Sequence, residues 1–412
     1  MRRFLSILAG LILCGAQGCA GHREAMVTPA ETGNSPDFRT DSGPDAVIPI
    51  SVEAGEPVIE VNLNGQGPFP MIFDTGTQDA LTPQAVSALG LRSNGGGGGR
   101  TSSGNEVPIA FTQVSAVRFG NAAMVDQPFE VIALPLYLTD RGSRTPLAGF
   151  IGYELLARYV VRLDYDSKTM TLRPATGFHY EGNGVRMPLF FTGDTPAVHA
   201  AVDGSPGTFA IDTGSQGALT LRREFVERIR LETRHPRGLR IKSGAADGPY
   251  EGIITRLDRF DIAASRIGRP AARFPLSNDA GWPAFPDVDG SIGYEILRQF
   301  IVTFDYPHGE LWLEHSQAFG TKSIQGMTGF QAIKLDSSGF RVITVLANTP
   351  ATSAGIMLGD LITEVDGIPA GLMSQAEFSE LLQRSEGTVV QFGVIRDGLA
   401  RLIALTLQEL LP

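Results

Sequence analysis

The stretch "MIFDTGTQDALT", residues 71 to 82, returns later in the chain as "FAIDTGSQGALT", residues 209 to 220. Each copy runs from apolar residues into Asp-Thr-Gly, then a hydroxyl residue, Gln and, further on, Ala-Leu-Thr. Asp212 follows Asp74 by 138 positions (212 − 74). Two carboxyl groups brought together cannot both ionise cheaply, so one keeps a proton while the other stays charged. Such a pair can hold one water between its members. The ionised member takes the water's proton as the water attacks a carbonyl, and the protonated member hydrogen-bonds the carbonyl oxygen. That is peptide hydrolysis without a metal or a covalent intermediate, so Asp74 and Asp212 are the candidate catalytic residues.

The neighbouring residue types suit that task. Gly76 and Gly214 carry no Cβ, so two such turns can approach each other and a substrate closely. Thr75 and Thr213 can hydrogen-bond across a pseudo-twofold axis and lock the loops together. The hydroxyls of Thr77 and Ser215 are expected to bind the outer carboxylate oxygens and fix their orientation.

The elements around these turns are also duplicated. "PVIEVNLNGQGPFPMIF" leads into Asp74 and "PAVHAAVDGSPGTFAI" into Asp212, each reading as two strands around a turn. Downstream, "GFIGYELLARYVVRLDYDSKTMTL" matches "GSIGYEILRQFIVTFDYPHGELWL". Gly152 lies 78 positions after Asp74 (152 − 74) and Gly293 lies 81 after Asp212 (293 − 212). Repetition on this scale predicts two homologous, mainly β lobes, residues 48–176 and 177–316. Short helices are expected after each Asp-Thr-Gly turn and after Gly152 and Gly293. "VVRLDYDSKTMTLRP" predicts a hairpin around Asp-Ser-Lys. The 412 residues, 42% hydrophobic and 19% charged, exceed what one core organises. A net charge of −10 with no block of like charges leaves no electrostatic footprint for nucleic acid.

"FDTGT" and "IDTGS", each after an apolar strand and answered downstream by "FIG" and "SIG", resemble aspartic proteases of the retropepsin type. Two lobes in one chain resemble the pepsin arrangement, with each lobe nearer retropepsin size. The resemblance covers about residues 48–316. It implies barrel-like lobes, a cleft between them, one catalytic Asp per lobe and a flap over the substrate. The glycine-rich "SNGGGGGRTSSGNEV", residues 93–107, stands where a flap hairpin would lie, its five glycines forming the tip. The second-lobe counterpart lies near 242–250. Gln78 and Gln216 depart from the family pattern, which more often carries a small residue there. Ser291 is more polar than its counterpart Phe150.

From residue 324 to 412 the pattern changes to a compact α/β unit without counterpart in the lobes. "MTGF", residues 327–330, and "TPATSAGIMLGDLITEVDG" resemble PDZ domains attached to bacterial proteases. The resemblance implies that Thr328, Gly329 and Phe330 hold a peptide's terminal carboxylate. A peptide would add as a strand beside residues 329–334, its last side chain between Phe330 and the helix 374–384.

Met1-Arg2-Arg3, the apolar run to Leu13 and "AQGC" read as an export signal, residues 1–19. It resembles a bacterial lipoprotein signal with Cys19 as the lipidated residue, although Ala16 stands where Leu is usual. Residues 20–47 read as a flexible tether. Both cysteines, Cys14 and Cys19, lie in the signal, so no disulfide is expected in the mature domains. The six scattered His residues show no metal-ligand spacing, so neither a metal nor another cofactor is expected. These readings combine into an exported, periplasmic, lipid-anchored, monomeric aspartic endopeptidase. Its partners are a protein or peptide substrate and a protein C-terminus at the PDZ unit, with the membrane touched only through the anchor. The alternatives are a non-catalytic peptide-binding protein or an envelope scaffold on the same fold.

Overall fold

The computed structural model describes residues 4–7, 11–14, 45–100, 106–142, 144–245, 248–276, 287–322 and 327–411. Cys19 and most of residues 1–47, where a signal and a tether are expected, lie outside them. Near the start of the chain, Phe4–Ile7 pairs with Leu11–Cys14 as an antiparallel hairpin.

The chain is mainly β, as the duplicated strand pattern predicts. Strand Ala46–Glu53 shows the underlying physics. Its residues alternate between core and solvent, burying Ala46, Ile48 and Ile50 in turn. The expected short helices form at Pro83–Ala88, Tyr153–Leu156, Arg223–Arg228 and Tyr294–Leu297. The first is started by Thr82, whose side chain accepts the amide of Ala85, with Pro83 in the first turn. Tyr159–Asp164 and Thr169–Pro174 form the expected hairpin.

The two repeats meet through a shared sheet. Strand Tyr159–Asp164 of the first repeat pairs antiparallel with its counterpart Phe300–Asp305, matching Val161 with Phe304 and Leu163 with Val302. Thr169–Pro174 and Ala46–Glu53 extend the sheet on one side, and Glu310–His315 and Val185–Pro188 on the other. Six strands thus lie three and three about a pseudo-twofold axis. One apolar core runs through both lobes, from Ala46 to Leu313. The C-terminal unit has its own core, including Phe330, Phe340, Phe378 and Phe392.

The flap segments are hairpins. Asn94–Arg100 pairs with Glu106–Phe119, and Leu239–Ala245 with Gly248–Arg256. The expectation that the glycines form the tip is corrected. Gly95 to Gly99 lie within the strand, and the connection at 101–105 lies outside the described residues. Backbone pairing needs no side chains, so five glycines can still line up along a partner strand.

In the second lobe, Phe209 is fully buried and meets Phe225 and Phe260 edge-on, at 5.5 and 5.6 Å between ring centroids. Phe209→Ala removes the ring that these two pack against. We expect a loss of about 3–5 kcal/mol of stability, read as a lowered urea midpoint with unchanged far-ultraviolet circular dichroism.

Candidate active site

Each Asp-Thr-Gly turn follows a strand that ends in the middle of a sheet. Gln66–Phe73 runs parallel to Gly149–Ile151, and Ser205–Ile211 runs parallel to Gly290–Ile292. The amides of Asp74 and Asp212 donate to the carbonyls of Ile151 and Ile292, at 2.9 and 3.0 Å. The chain then turns and returns on the far side of the same short strand, as Ala80–Leu81 and Leu219–Leu221. This crossing explains the second repeated motif. A Cβ at Gly152 would lie 2.1 Å from the carbonyl oxygen of Thr77, and one at Gly293 would lie 2.6 Å from that of Ser215. No other residue fits between the turn and the strand that supports it.

The two turns are locked as the residue types suggest. The amide of Thr75 donates to Oγ1 of Thr213 at 3.0 Å, and the amide of Thr213 donates to Oγ1 of Thr75 at 3.1 Å. The two hydroxyls donate onward to the carbonyls of Ile211 and Phe73, at 2.7 and 2.8 Å. All four bonds are buried. They hold the Asp74 carboxylate against the second turn, where a Cβ at Gly214 would sit 2.4 Å from Asp74 Oδ2. Gly214 is therefore required by close approach. Asp74 Oδ1 accepts the amide of Gly76 at 2.8 Å. Burial, then the charge of Asp74, holds the Asp212 carboxyl well above its ordinary range, against the opposing pull of Arg273 and the Gly214 amide.

Thr77 and Ser215 do not behave as expected. Thr77 Oγ1 has no hydrogen-bond partner among the described residues. Ser215 Oγ receives Arg273 Nη2 at 3.4 Å. The amide two residues after the Asp has taken the role foreseen for the hydroxyl, as Gly76 does for Asp74, so the side chains are free to turn elsewhere.

The two glutamines that depart from the family pattern have a use. Gln78 donates across the lobe boundary to Asp194 Oδ2 at 2.6 Å, and Gln216 donates the other way to Glu56 Oε1 at 3.4 Å. Glu56 is a third acid near the pair. Burial first, then the charges of Asp74 and Glu53, push it up to about 8, against the hydrogen bond from Gln216. Behind the first turn, Asp79 accepts the amide of Gly152 at 2.9 Å, and Glu154 accepts the amide of Asp79 at 2.8 Å. Burial and mutual repulsion raise Asp79, and burial leads the causes that raise Glu154.

Sequence reasoning missed two tyrosines. Tyr165 and Tyr306 occupy matching places in "RLDYDSK" and "TFDYPHG". Both are buried, and neither hydroxyl has a partner within the described residues. Burial raises both, with Asp212 acting on Tyr165 and Asp74 on Tyr306. The repeated Asp-Tyr pair was the available signal. Among the described residues one cluster, Asp203, His235 and Asp258, brings metal-ligand types together. Its geometry is explained by hydrogen bonds, since Asp203 accepts the amides of Asp258 and Arg259 and pairs with His235 at 2.7 Å.

In the C-terminal unit, Gly329 takes φ +80°, and a Cβ there would lie 2.2 Å from Thr349. Phe330 is buried against Phe392 and Phe378, so it packs the core of the unit. Strand Phe330–Asp336 is the edge of its sheet. Its outward backbone is already engaged, because Gln375 donates to the carbonyl of Ala332 at 3.0 Å and accepts the amide of Lys334 at 2.9 Å. Lys334 also lies 2.6 Å from Asp140 of the first lobe. The expected strand addition beside 329–334 therefore meets a strand edge whose far half is occupied.

Residues 59–155 match the aspartyl protease family, and residues 326–407 match the PDZ domain. The chain thus carries an aspartyl protease segment in its first lobe and ends in a PDZ domain, which supports a peptidase type of hydrolase acting on protein or peptide. No curated protein matches the chain. Among solved structures, an aspartic proteinase from Irpex lacteus aligns with 11% identity and TM-score 0.45, over 67% of this chain and 99% of its own. Basic 7S globulin from soybean aligns with 13% identity and TM-score 0.36, over 66% and 95%.

Two outcomes follow from this geometry. Thr75→Val leaves the amide of Thr213 and the carbonyl of Ile211 buried without their partner. We expect a loss of about 2–4 kcal/mol, seen as a lowered unfolding midpoint, and a larger fall in turnover than in substrate affinity. The second concerns pH. Glu56 has a folded value raised from 4.5 to about 8, so the folded state binds its proton more tightly than the unfolded chain does. Its contribution is complete below about 4.5 and declines as pH rises towards 8. Melting temperatures at pH 5, 6.5 and 8 should fall in that order, and Glu56→Gln should flatten the fall. An unchanged slope in that variant would show that Glu56 does not hold the proton.

Proposed function

We propose that the protein is an exported aspartic endopeptidase that cleaves peptide bonds with a water held between Asp74 and Asp212. The observation that carries this reading is the burial of both acids in locked, equivalent turns, with the Asp74 carboxylate seated on Gly214. Asp212 keeps a proton and donates it to the oxygen of the scissile carbonyl. Asp74 carries the charge of the pair and accepts a proton from the water as the water oxygen bonds to the carbonyl carbon. In the resulting gem-diol, the proton on Asp74 passes to the amide nitrogen. The C–N bond breaks, a diol proton returns to Asp212, and the pair regains its starting state. In this reading the hairpin strands Asn94–Arg100 with Glu106–Phe119, and Leu239–Ala245 with Gly248–Arg256, cover an extended substrate.

The basic, apolar start of the chain and the "AQGC" at Cys19 support export to the periplasm with a lipid anchor. The PDZ domain supports recognition of a protein C-terminus, which would raise the local concentration of a tethered substrate.

Purified protein should cut denatured casein at internal bonds, with activity greatest on the acidic side of neutral. Asp74→Asn and Asp212→Asn should each remove at least about a thousandfold of the rate, and the double variant should be little worse, because the pair acts as one unit. Fragment mass spectrometry across pH 4 to 7 reads both points. Full activity in Asp212→Asn would falsify the shared-proton mechanism.

A further inference from the structure

The lobes repeat each other closely around the catalytic turns, so a place where they differ marks a position released from the repeat. Five residues after its Asp, the first lobe has Asp79 and the second has Gly217 (79 − 74 and 217 − 212). Two residues further on, Leu81 and Leu219 pair in parallel with Val131 and Ala272. The next residues on those partner strands are Ile132 and Arg273. Ile132 is buried, whereas Arg273 is half-buried and charged. The Arg273 guanidinium donates to Thr220 Oγ1 at 2.9 Å and to Ser215 Oγ at 3.4 Å. The matching hydroxyls of the first lobe have no such role. Thr82 accepts the amide of Ala85, and Thr77 has no side-chain partner among the described residues. Gly217 makes room for the cation, since a Cβ there would already lie 3.6 Å from Cζ of Arg273. One turn therefore has a carboxyl behind it, and the other has a guanidinium beside it.

The difference falls where the chemistry is asymmetric. Peptide hydrolysis by the pair moves a negative charge from Asp74 to Asp212. Asp74 takes a proton from the water, and Asp212 gives its own to the carbonyl oxygen. Two acids in identical surroundings would have no preferred direction for this exchange. A cation fixed beforehand beside one of them favours the state in which that acid is charged, and it acts without reorganisation. We propose that Arg273 is a positioning residue for the peptidase reaction, a fixed cation that meets the charge Asp212 acquires as it gives up its proton. This role rests on the peptidase reading above and gives it a direction. At rest, burial and the charge of Asp74 keep Asp212 protonated against the pull of Arg273. The pull becomes an attraction between full charges when the proton leaves. Ser215 joins the guanidinium to the turn it serves. The Ser215 amide donates to the carbonyl of Asp212 at 3.2 Å, and its carbonyl accepts the amide of Tyr294 at 2.8 Å. Ile132 brings no charge to the matching place in the first lobe, which suits an acid that ends this step protonated.

The test follows cleavage of a fluorogenic peptide by the full-length protein from about pH 3 to 9. Arg273→Gln should lower kcat about ten- to a hundredfold, with KM within about twofold. Without the cation, Asp212 binds its proton more tightly. The alkaline limb of the kcat profile, where the pair loses that proton, should therefore move to higher pH while the peak falls. A packing defect would lower the rate at every pH and leave the limb in place. Arg273→Lys should recover most of the rate and bring the limb back towards that of the unmodified protein. Asp74, Glu56 and Tyr165 also interact with Asp212 and are unchanged in these variants, so movement of the limb reports on Arg273. Thr220→Val keeps the cation and removes its nearer anchor. It should lower kcat severalfold and move the limb the same way, so it decides the matter if Arg273→Gln folds poorly. A folded Arg273→Gln with the limb in place overturns the proposal. So does a rate loss that Arg273→Lys does not recover, or a Thr220→Val variant with rate and limb unchanged. Casein cleavage by the unmodified protein, abolished in Asp74→Asn, separates the two levels of the reading. Cleavage with an immobile limb sinks the role of Arg273 alone, and no cleavage at all sinks the peptidase and this role with it.

Discussion

The exchange of hydrogen bonds between Thr75 and Thr213 is the constraint on which the rest depends. Each threonine donates and accepts across the lobe boundary, and each hydroxyl also anchors the strand that precedes the other Asp. A small rotation of one lobe against the other would strain all four bonds at once, and all four are buried away from water that could replace them. The six-stranded sheet beneath, paired at Val161–Phe304 and Leu163–Val302, prevents that rotation from below. Gln78 and Gln216 add a second, outer pair of crossings to Asp194 and Glu56. Each Asp is anchored within its own lobe by its amide, and the bonds between lobes fix the two turns against each other.

The cost of this arrangement is electrostatic. Asp212, Glu56, Asp79 and Glu154 all lie in burial that favours their neutral forms. A shared proton is what the proposed chemistry needs at the central pair, whereas the other acids lie outside that pair. Asp79 has a defined task, since it accepts the amide of Gly152, the glycine that must touch the first turn. Each of these groups makes the folded state a better proton binder than the unfolded chain, so all bias stability towards acid in the same direction. Fold and chemistry then favour the same side of the pH scale.

Much of this was legible because duplication exposes it. The paired Asp, the threonine lock and the glycines of "FIG" and "SIG" could be read as symmetric constraints before any fold was known. Thr77 and Ser215 were misassigned because a hydroxyl and a backbone amide compete for the same carboxylate oxygen, and sequence cannot tell which is nearer. Gln78 and Gln216 looked like departures because their partners, Asp194 and Glu56, sit in hairpins of the opposite lobe, far off in sequence. The tyrosines at 165 and 306 stand just past the ends of the strands Tyr159–Asp164 and Phe300–Asp305, where an aromatic residue reads equally well as core. The glycine run suggests a tip because its composition implies freedom, but where a hairpin turns is set by pairing with residues 106–111. Arg273 could not be found at all, because its reach to Ser215 and its pull on Asp212 exist only once the strand Ala271–Pro275 lies beside the second turn.

The contacts of the PDZ domain show why the C-terminal unit is more than an appendage. Arg141 and Arg144 of the first lobe hold Glu53 at 2.5 and 2.9 Å, the first of these pairs being buried, and together they draw Glu53 below its ordinary value although burial opposes them. The same segment supplies Asp140 to Lys334 and places Gly142 so close to the PDZ backbone that a Cβ would lie 2.6 Å from the carbonyl of Leu372. Glu53 begins the hairpin that ends in Glu56, whose carboxyl feels the charge of Asp74. On the other lobe, Arg256 holds Glu409 at 2.5 Å and the carbonyl of Leu411 at 3.1 Å. The PDZ domain is therefore clamped to both lobes at once. A domain fixed at two points on either side of the pseudo-twofold axis resists the same rotation that the threonine exchange resists, so peptide recognition and lobe geometry rest on a common set of contacts.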